Sequence, residues 1–502
     1  MNKDEAFEAL TEHWKKRKIL GNINALLHWD MEVNMPEKAI GNRAESNALI
    51  GMESYREQTS PKIAEALEVL KAPEFYPSLT SDERRMIDLY AHETLKMKLI
   101  PPDLFETFIR LTSRAQKSWE KAKTASDFSI FESDLTELMS LIRAISRIQK
   151  DHFHFEEMMD ALIDDHERGM RAEDIRGIIS AIRPPLVDLV RGISLRIEKG
   201  PSPNLSMKSD EQITLCRKVV TACGFDWKAG RMDFYSHPFT TNLGTGDVRF
   251  TIRVNETDFS ESFYSALHEC GHALYEQNLP ADYAYTPICE AASTAIHESK
   301  ARLWENVIGR SEEFWNYFYP IYREVVDPDN RLAPEAIYRA VNRVQPSFIR
   351  TEADEVTYNL HIVLRFELED DLLNGRLEVR DLPAVWNEKM RQYLGIVPPN
   401  DALGVLQDIH WSFGGFGYFP SYMLGNIYSA QFFHQMNAEI PDIKERTRRG
   451  EFSAILDWLN RKIHSAGALK DPMALCEQVT GERLNPAYYL EYLKGKYTKL
   501  YA

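Results

Sequence analysis

Along most of the chain the apolar residues recur every three or four positions, the spacing that gathers them on one face of an α-helix. Phe7, Leu10, Trp14 and Ile19 set the pattern, which runs through Leu26 and Trp29 to a break at Pro36. Another helix opens around Gly41 and Arg43, and Pro101-Pro102 marks a loop and a restart. Helices continue through 103–200, where Phe131, Leu135, Leu138 and Ile142 keep the helical period. Pro184-Pro185 predicts a further break and Pro201-Ser-Pro203 a short linker. A second helix is expected over 290–310. The rest is mostly helical, broken near Pro328, Pro334, Pro398-Pro399 and Pro472. The period changes only between about 231 and 256, where Val248, Phe250, Ile252 and Val254 alternate with polar residues. That alternation predicts a β-hairpin or small sheet. An exposed strand edge there could hold an extended peptide by main-chain hydrogen bonds. The fold class is mainly α with one small β element.

Composition narrows the function. The chain has 502 residues, 44% hydrophobic and 27% charged, enough for a large buried core. Its net charge of −16 is spread along the length and excludes nucleic acid as the expected partner, since phosphate binding needs a basic face. Five cysteines without a Cys-x-x-Cys pair fit reduced thiols in a cytoplasm. No basic region followed by an apolar run opens the sequence, so no secretory signal is expected. The longest uncharged stretch, 409–438, contains Gly414, Gly415, Gly417, Pro420 and Gly425. It reads as a glycine- and aromatic-rich pocket wall, not a membrane span.

The candidate chemistry lies just after the β element. His268-Glu269-x-x-His272 sits inside an amphipathic helix that Thr257 or Asp258 can cap and Pro280 closes. Residues four apart share a helix face, so the two imidazoles can share one Zn²⁺. Glu269 is rotated by about 60° from His272, at the edge of the metal face where a general base belongs. Cys270 faces away from the ligand pair. A hydrolytic zinc site needs a third protein ligand. Glu276 fails, because eight residues from His268 is about 12 Å along a helix. The longer motif ending in a third histidine fails too, since Tyr275 and Asn278 stand at its glycine and histidine positions. The ligand is then expected from another helix, with Glu298 first and the adjacent His297 as the alternative. His152, His154 and His166 read as ordinary surface or half-buried histidines.

With these residues in place, the chain resembles the carboxypeptidase Taq family of metallocarboxypeptidases. The likeness runs end to end: Trp29-Asp30, Met35-Pro36 and Arg43-Ala44; His237-Pro-Phe239; Asp247-x-Arg249-x-Thr251; His268-Glu-x-x-His272; His297-Glu-Ser299; Ile349-Arg-x-x-Ala-Asp354; and Gly404-x-x-Gln-Asp-x-His-Trp411. It departs after His-Glu-Ser, where Lys300-Ala301-Arg302 replaces the family's Gln-Ser-Arg. A lysine there would point to solvent or alter substrate preference. The resemblance implies one helical, neurolysin-like catalytic unit spanning 1–502, with a deep groove. It further implies a homodimer, Zn²⁺ or Co²⁺ as the metal, and release of single C-terminal amino acids with broad preference. His410 and Tyr418 become the candidate oxyanion donors. A free C-terminal carboxylate suits an arginine fork. Arg350 is the first candidate and Arg249, which could close the groove with His237, the second. Either could instead pair with a neighbour, Asp354 or Asp247. Asp30 and Arg43 read as a buried structural pair, and Gln407 and Asp408 as residues that orient His410 or a metal ligand. The rival readings are a zinc oligopeptidase that cuts internally and a non-catalytic metal-binding protein.

Overall fold

The computed structural model describes residues 1–196 and 204–502, so the expected linker Pro201-Ser-Pro203 lies outside the described residues. The first helix, α1 (Lys3–Val33), starts on a reciprocal cap: Asn2 accepts the Glu5 N–H and Glu5 accepts the Asn2 N–H. α2 (Ile40–Gln58) folds back along it. Arg43 on Asp30 ties one end of the pair and His13 on Glu57, at 2.8 Å, the other. α1 buries Leu10, Trp14 and Trp29, whereas α2 buries no residue. Its Ile40, Leu49, Met52 and Tyr55 are 57%, 64%, 50% and 56% exposed. The N-terminal helices share a small core of Leu10, Trp14, Ile63, Leu70, Ile87 and Tyr90, into which Ile288 inserts. A much larger core runs from Leu111 to Tyr497.

The break expected at Pro184-Pro185 does not occur; both prolines lie inside the helix Ala172–Ser194. An interior proline costs about 3 kcal/mol through a lost N–H bond and a clash one turn back. Ile182, Leu186 and Val190, 0–3% exposed, lie on the buried stripe that spans it. At about 1.5–3 kcal/mol per fully buried side chain, that stripe outweighs the break.

The β element is larger than a hairpin. β2 (Thr240–Asn242) and β3 (Val248–Ile252) form the antiparallel pair, and β1 (Gly230–Phe234) adds a parallel strand on the other side of β3. The order is therefore β1-β3-β2, with β2 at an edge. Of the two forms expected over about 231–256 the element takes the small sheet, and the parallel partner is the one that leaves no turn signature. Phe250 and Ile252 are fully buried in the larger core, with the motif helix, Phe259–Gln277. Asp258 caps that helix by accepting the Ser260 N–H at 2.9 Å. Trp29 of α1 meets Phe239 of the loop before β2, ring centroids 5.4 Å apart, so the first helix docks on the sheet.

Candidate metal centre

Two glycines bring a second helix onto the motif helix. The expected helix over 290–310 begins later, at Thr294, because the Ser293 hydroxyl caps it by accepting the Ile296 N–H at 3.0 Å. It runs to Arg302 and continues as a π-helix over Leu303–Ile308. On one side a methyl carbon on Gly271 would lie 2.6 Å from the Lys300 carbonyl. On the other, one on Gly425, in the helix Pro420–Glu439, would lie 2.5 Å from Glu298 Cγ. Both are closer than any real carbon contact, so only glycine lets the three backbones approach.

This packing brings His268, His272 and Glu298 together, their ligand atoms all within 4.8 Å of one another. Glu298 Oε2 is 3.4 Å from His272 Nε2 and 3.8 Å from His268 Nε2. Tetrahedral ligands at 2.0–2.1 Å stand roughly 3.3–3.4 Å apart, so the set needs only slight contraction around an ion. The remaining atoms leave those lone pairs free. His268 Nδ1 meets Glu305 Oε2 at 2.8 Å, which fixes the proton on Nδ1 and the lone pair on Nε2. His272 Nδ1 lies 2.5 Å from His297 Nδ1, and His297 Nε2 lies 2.8 Å from Glu276 Oε1. With a proton on each donor, His272 donates to His297, and His297 donates to Glu276. Asn242 of β2 donates to the other Glu276 oxygen at 2.6 Å. Glu298 Oε1 accepts Arg302 Nε at 2.6 Å, leaving Oε2 for a metal. Arg302 also reaches Glu305, at 3.2 Å.

The electrostatics agree with a cation site. Burial raises the Glu298 carboxyl, but Arg302 and the two histidines outweigh it and hold the group well below the usual carboxylate range. Burial and the neighbouring His297 push His272 down to about 3. Burial lowers His268 as well, yet Glu298 and Glu305 lift it above its ordinary value. Two neutral-capable imidazoles and an ionised carboxylate make a donor set that fits Zn²⁺.

Glu269 projects beside this set, 6% exposed. Burial raises its carboxyl, and Thr240 of β2 donates to its Oε2 at 2.6 Å. The centre opens on a cleft of about 1020 Å³ whose lining includes Thr240, Asn242, His166, Tyr418 and Tyr422. His166 sets its ring edge-on to Tyr418, centroids 4.8 Å apart. His410 stands behind the wall. Its Nε2 is 3.4 Å from the Tyr422 hydroxyl, and burial takes it down to about 4.

The two candidate arginines already hold carboxylates. Arg350 is 6% exposed and pairs with Asp408, at 3.2 Å through Nε and 2.8 Å through a terminal nitrogen, not with Asp354. Asp354 instead accepts Thr357 and the Gln345 backbone. Arg365 takes the other Asp408 oxygen, and Gln407 accepts the Arg350 N–H at 2.8 Å. Arg249 holds Asp247 at 2.8 and 2.7 Å. His237 is exposed, its ring 6.4 Å from that of Tyr235, while Pro238 and Phe239 line the cleft. Lys300 does not reach solvent. Two residues on from Glu298 it faces the other way, fully buried, 4.3 Å over the Phe432 ring. Burial pulls its amine well below the ordinary lysine value. Tyr422, Glu305, Arg302 and Thr240 were not singled out from the sequence. For Glu305 and Arg302 a signal existed: they lie seven and four residues after Glu298, the same helix face.

Known proteins resemble this chain over nearly all of its length. The family model described as "Carboxypeptidase Taq (M32) metallopeptidase" matches residues 9–497. Thermostable carboxypeptidase 1 of Thermus thermophilus is 37% identical over 512 aligned positions, covering 100% of both chains. Carboxypeptidase 1 of Bacillus subtilis is 37% identical over 481, covering 95% of each. The crystal structure of the M32 carboxypeptidase from Deinococcus radiodurans superposes with a TM-score of 0.94 at 35% identity, covering 99% of each chain. That of Trypanosoma cruzi metallocarboxypeptidase 1 gives 0.93 at 32%, covering 98% of this chain and 99% of the other. The chain belongs to the M32, carboxypeptidase Taq, family of metallopeptidases.

Proposed function

We propose that this metallopeptidase releases single amino acids from the free C-terminus of peptides, with broad preference. The supporting observation is the paired set on the cleft floor: two imidazoles and Glu298 converging, with Glu269 beside them rather than among them. A structural site has no use for a base next to an open position. A divalent metal, Zn²⁺ with Co²⁺ as the alternative, would sit on His268, His272 and Glu298, polarise the scissile carbonyl and acidify a water. Glu269 takes the proton of the attacking water and passes it to the leaving amine, while Thr240 holds its second oxygen in place. Tyr418 supplies a hydroxyl to the developing oxyanion, and His410 acts through Tyr422 on the same wall. The free edge of β2 aligns the peptide backbone. A cleft of about 1020 Å³ is far larger than one side chain, which suits broad preference.

Arg350, stacked 4.7 Å from the Tyr422 ring, is the proposed reader of the substrate carboxylate, with Arg249 second and His237 on the loop nearby. That both forks already hold an aspartate favours a second reading, an oligopeptidase that cuts internally and needs no reader. One free-acid peptide and its amidated twin, digested with and without chelator and followed by mass spectrometry, separate them. Stepwise loss from the free acid alone, abolished by chelator, supports the exopeptidase. Internal cuts in the amide favour the second reading, and no cleavage by metal-loaded protein removes both. The exposed apolar face of α2 supports a homodimer. Five free, buried cysteines support a cytoplasmic location. No described helix is long and apolar enough to cross a membrane.

A further inference from the structure

A carboxylate outside the metal centre spans the turn on which the proposed oxyanion donors stand. Glu369, on the helix Tyr358–Leu373, is fully buried. Its Oε1 accepts the Trp411 indole N–H at 2.9 Å and its Oε2 accepts the Gly417 backbone N–H at 3.0 Å. These donors bracket residues 411–417, and the next residues outward are His410 and Tyr418. The turn opens as one short 3₁₀ helix, His410–Phe413, and no regular element follows it as far as Gly417. Gly414 and Gly417 are left-handed, φ 82° and 76°, and a methyl carbon on Gly417 would lie 2.7 Å from Leu162 Cβ. Burial pushes the Glu369 carboxyl up to about 8 despite both hydrogen bonds and Arg365. A glutamine would fill the same space, but only its carbonyl oxygen accepts, and its NH₂ would face the second N–H.

We propose that Glu369 is a positioning residue: by pinning Trp411 and Gly417 it sets the direction of the Tyr418 hydroxyl and of the His410–Tyr422 pair toward the reacting carbonyl. This rests on the donor assignment made under the proposed function. The test is Glu369→Gln, whose amide keeps one acceptor and turns an NH₂ toward the other donor. kcat on a free-acid peptide should fall on the order of 10–100-fold, with KM within about threefold. Metal content should stay at the wild-type level. A phosphinic peptide, tetrahedral and anionic like the transition state, should bind more weakly by the same factor as kcat/KM, while a product amino acid binds unchanged. Adding Trp411→Phe removes one of the facing donors. It should return at least part of the lost kcat, since the amide oxygen can then turn to Gly417.

A lowered melting temperature with kcat per metal-loaded molecule and phosphinic affinity unchanged would overturn the proposal. Tyr418→Phe is the reference. If it lowers kcat and Glu369→Gln does not, this inference fails and the proposed function stands. If Tyr418→Phe leaves kcat intact, the donor assignment falls and takes the role of Glu369 with it.

Discussion

Gly425→Ala would test how the proposed metal ligands are brought together. The added carbon would lie 2.5 Å from Glu298 Cγ and 2.8 Å from its Cβ. Carbon pairs settle at about 3.5–4.0 Å, so roughly 1 Å of space must be found. The Thr294–Arg302 helix cannot simply retreat, because on its far side Gly271 already lies against the Lys300 carbonyl and Ala301. Glu298 itself is held by Arg302 at 2.6 Å. Either the helices part or the carboxylate moves, and a metal site tolerates displacements of only about 0.2 Å. Overpacking of this kind costs about 1–3 kcal/mol of stability. Metal affinity should fall on the order of 10–100-fold, the range seen when support of a ligand is lost. Competition with a chromophoric chelator gives the affinity, and thermal unfolding of stripped and loaded protein gives the stability. Gly495→Ala is the control, since nothing lies within 4 Å of its added carbon. Wild-type metal affinity and an unchanged melting temperature in Gly425→Ala would refute the close-packing account of Glu298.

Three further outcomes are expected. His297→Ala breaks the path from His272 to Glu276 and should weaken metal binding by about 10–100-fold, read by the same competition; equal affinity would show that the path does not matter. His410 is held at about 4, below its ordinary 6.5, so its contribution to stability is full above pH 6.5 and is lost as the pH falls. Between pH 7 and 5, His410→Asn should gain about 2 kcal/mol on the wild type in denaturant unfolding, and parallel pH curves would reject this. Leu49→Glu with Met52→Glu places charges on the bare face of α2 and should halve the mass seen by light scattering if that face joins two copies; an undiminished dimer would place the interface elsewhere.

The sequence made the helical class, the motif helix and the region of Glu298 legible because each rests on short-range spacing. His268 and His272 are four apart, and their convergence follows from helix geometry alone. What spacing cannot show is contact between distant segments. Distance from His268 sets Glu276 aside as a ligand, yet its partnership with His297 depends on how two helices cross. Gly425 stood out in an uncharged, glycine-rich stretch, but what it admits is Glu298. For Arg350 the nearby acid the sequence offered as an alternative partner was Asp354, four residues on, whereas the guanidinium meets Asp408, 58 residues away. Pro184-Pro185 misled because a local rule was outweighed by a buried stripe.

The polar shell behind the proposed metal ligands has a consequence for charge balance. Among the described residues, Glu269, Glu276, Glu298 and Glu305 share their cluster with two guanidiniums, those of Arg302 and Arg310. With the histidines neutral, as ligation requires, and all four carboxyls ionised, these groups carry two negative charges in excess, the complement of one divalent ion; without the ion, the raised His268 and Glu269 offset part of that excess. An ion there would do more than prepare the chemistry: it would relieve the remaining repulsion between carboxylates on the Phe259–Gln277 and Thr294–Arg302 helices. Folding and metal capture are then thermodynamically linked, and at a thousand times its dissociation constant the ion would add about 4 kcal/mol to the folded state. The cell's supply of the metal would therefore govern how long the protein lasts as well as how fast it works.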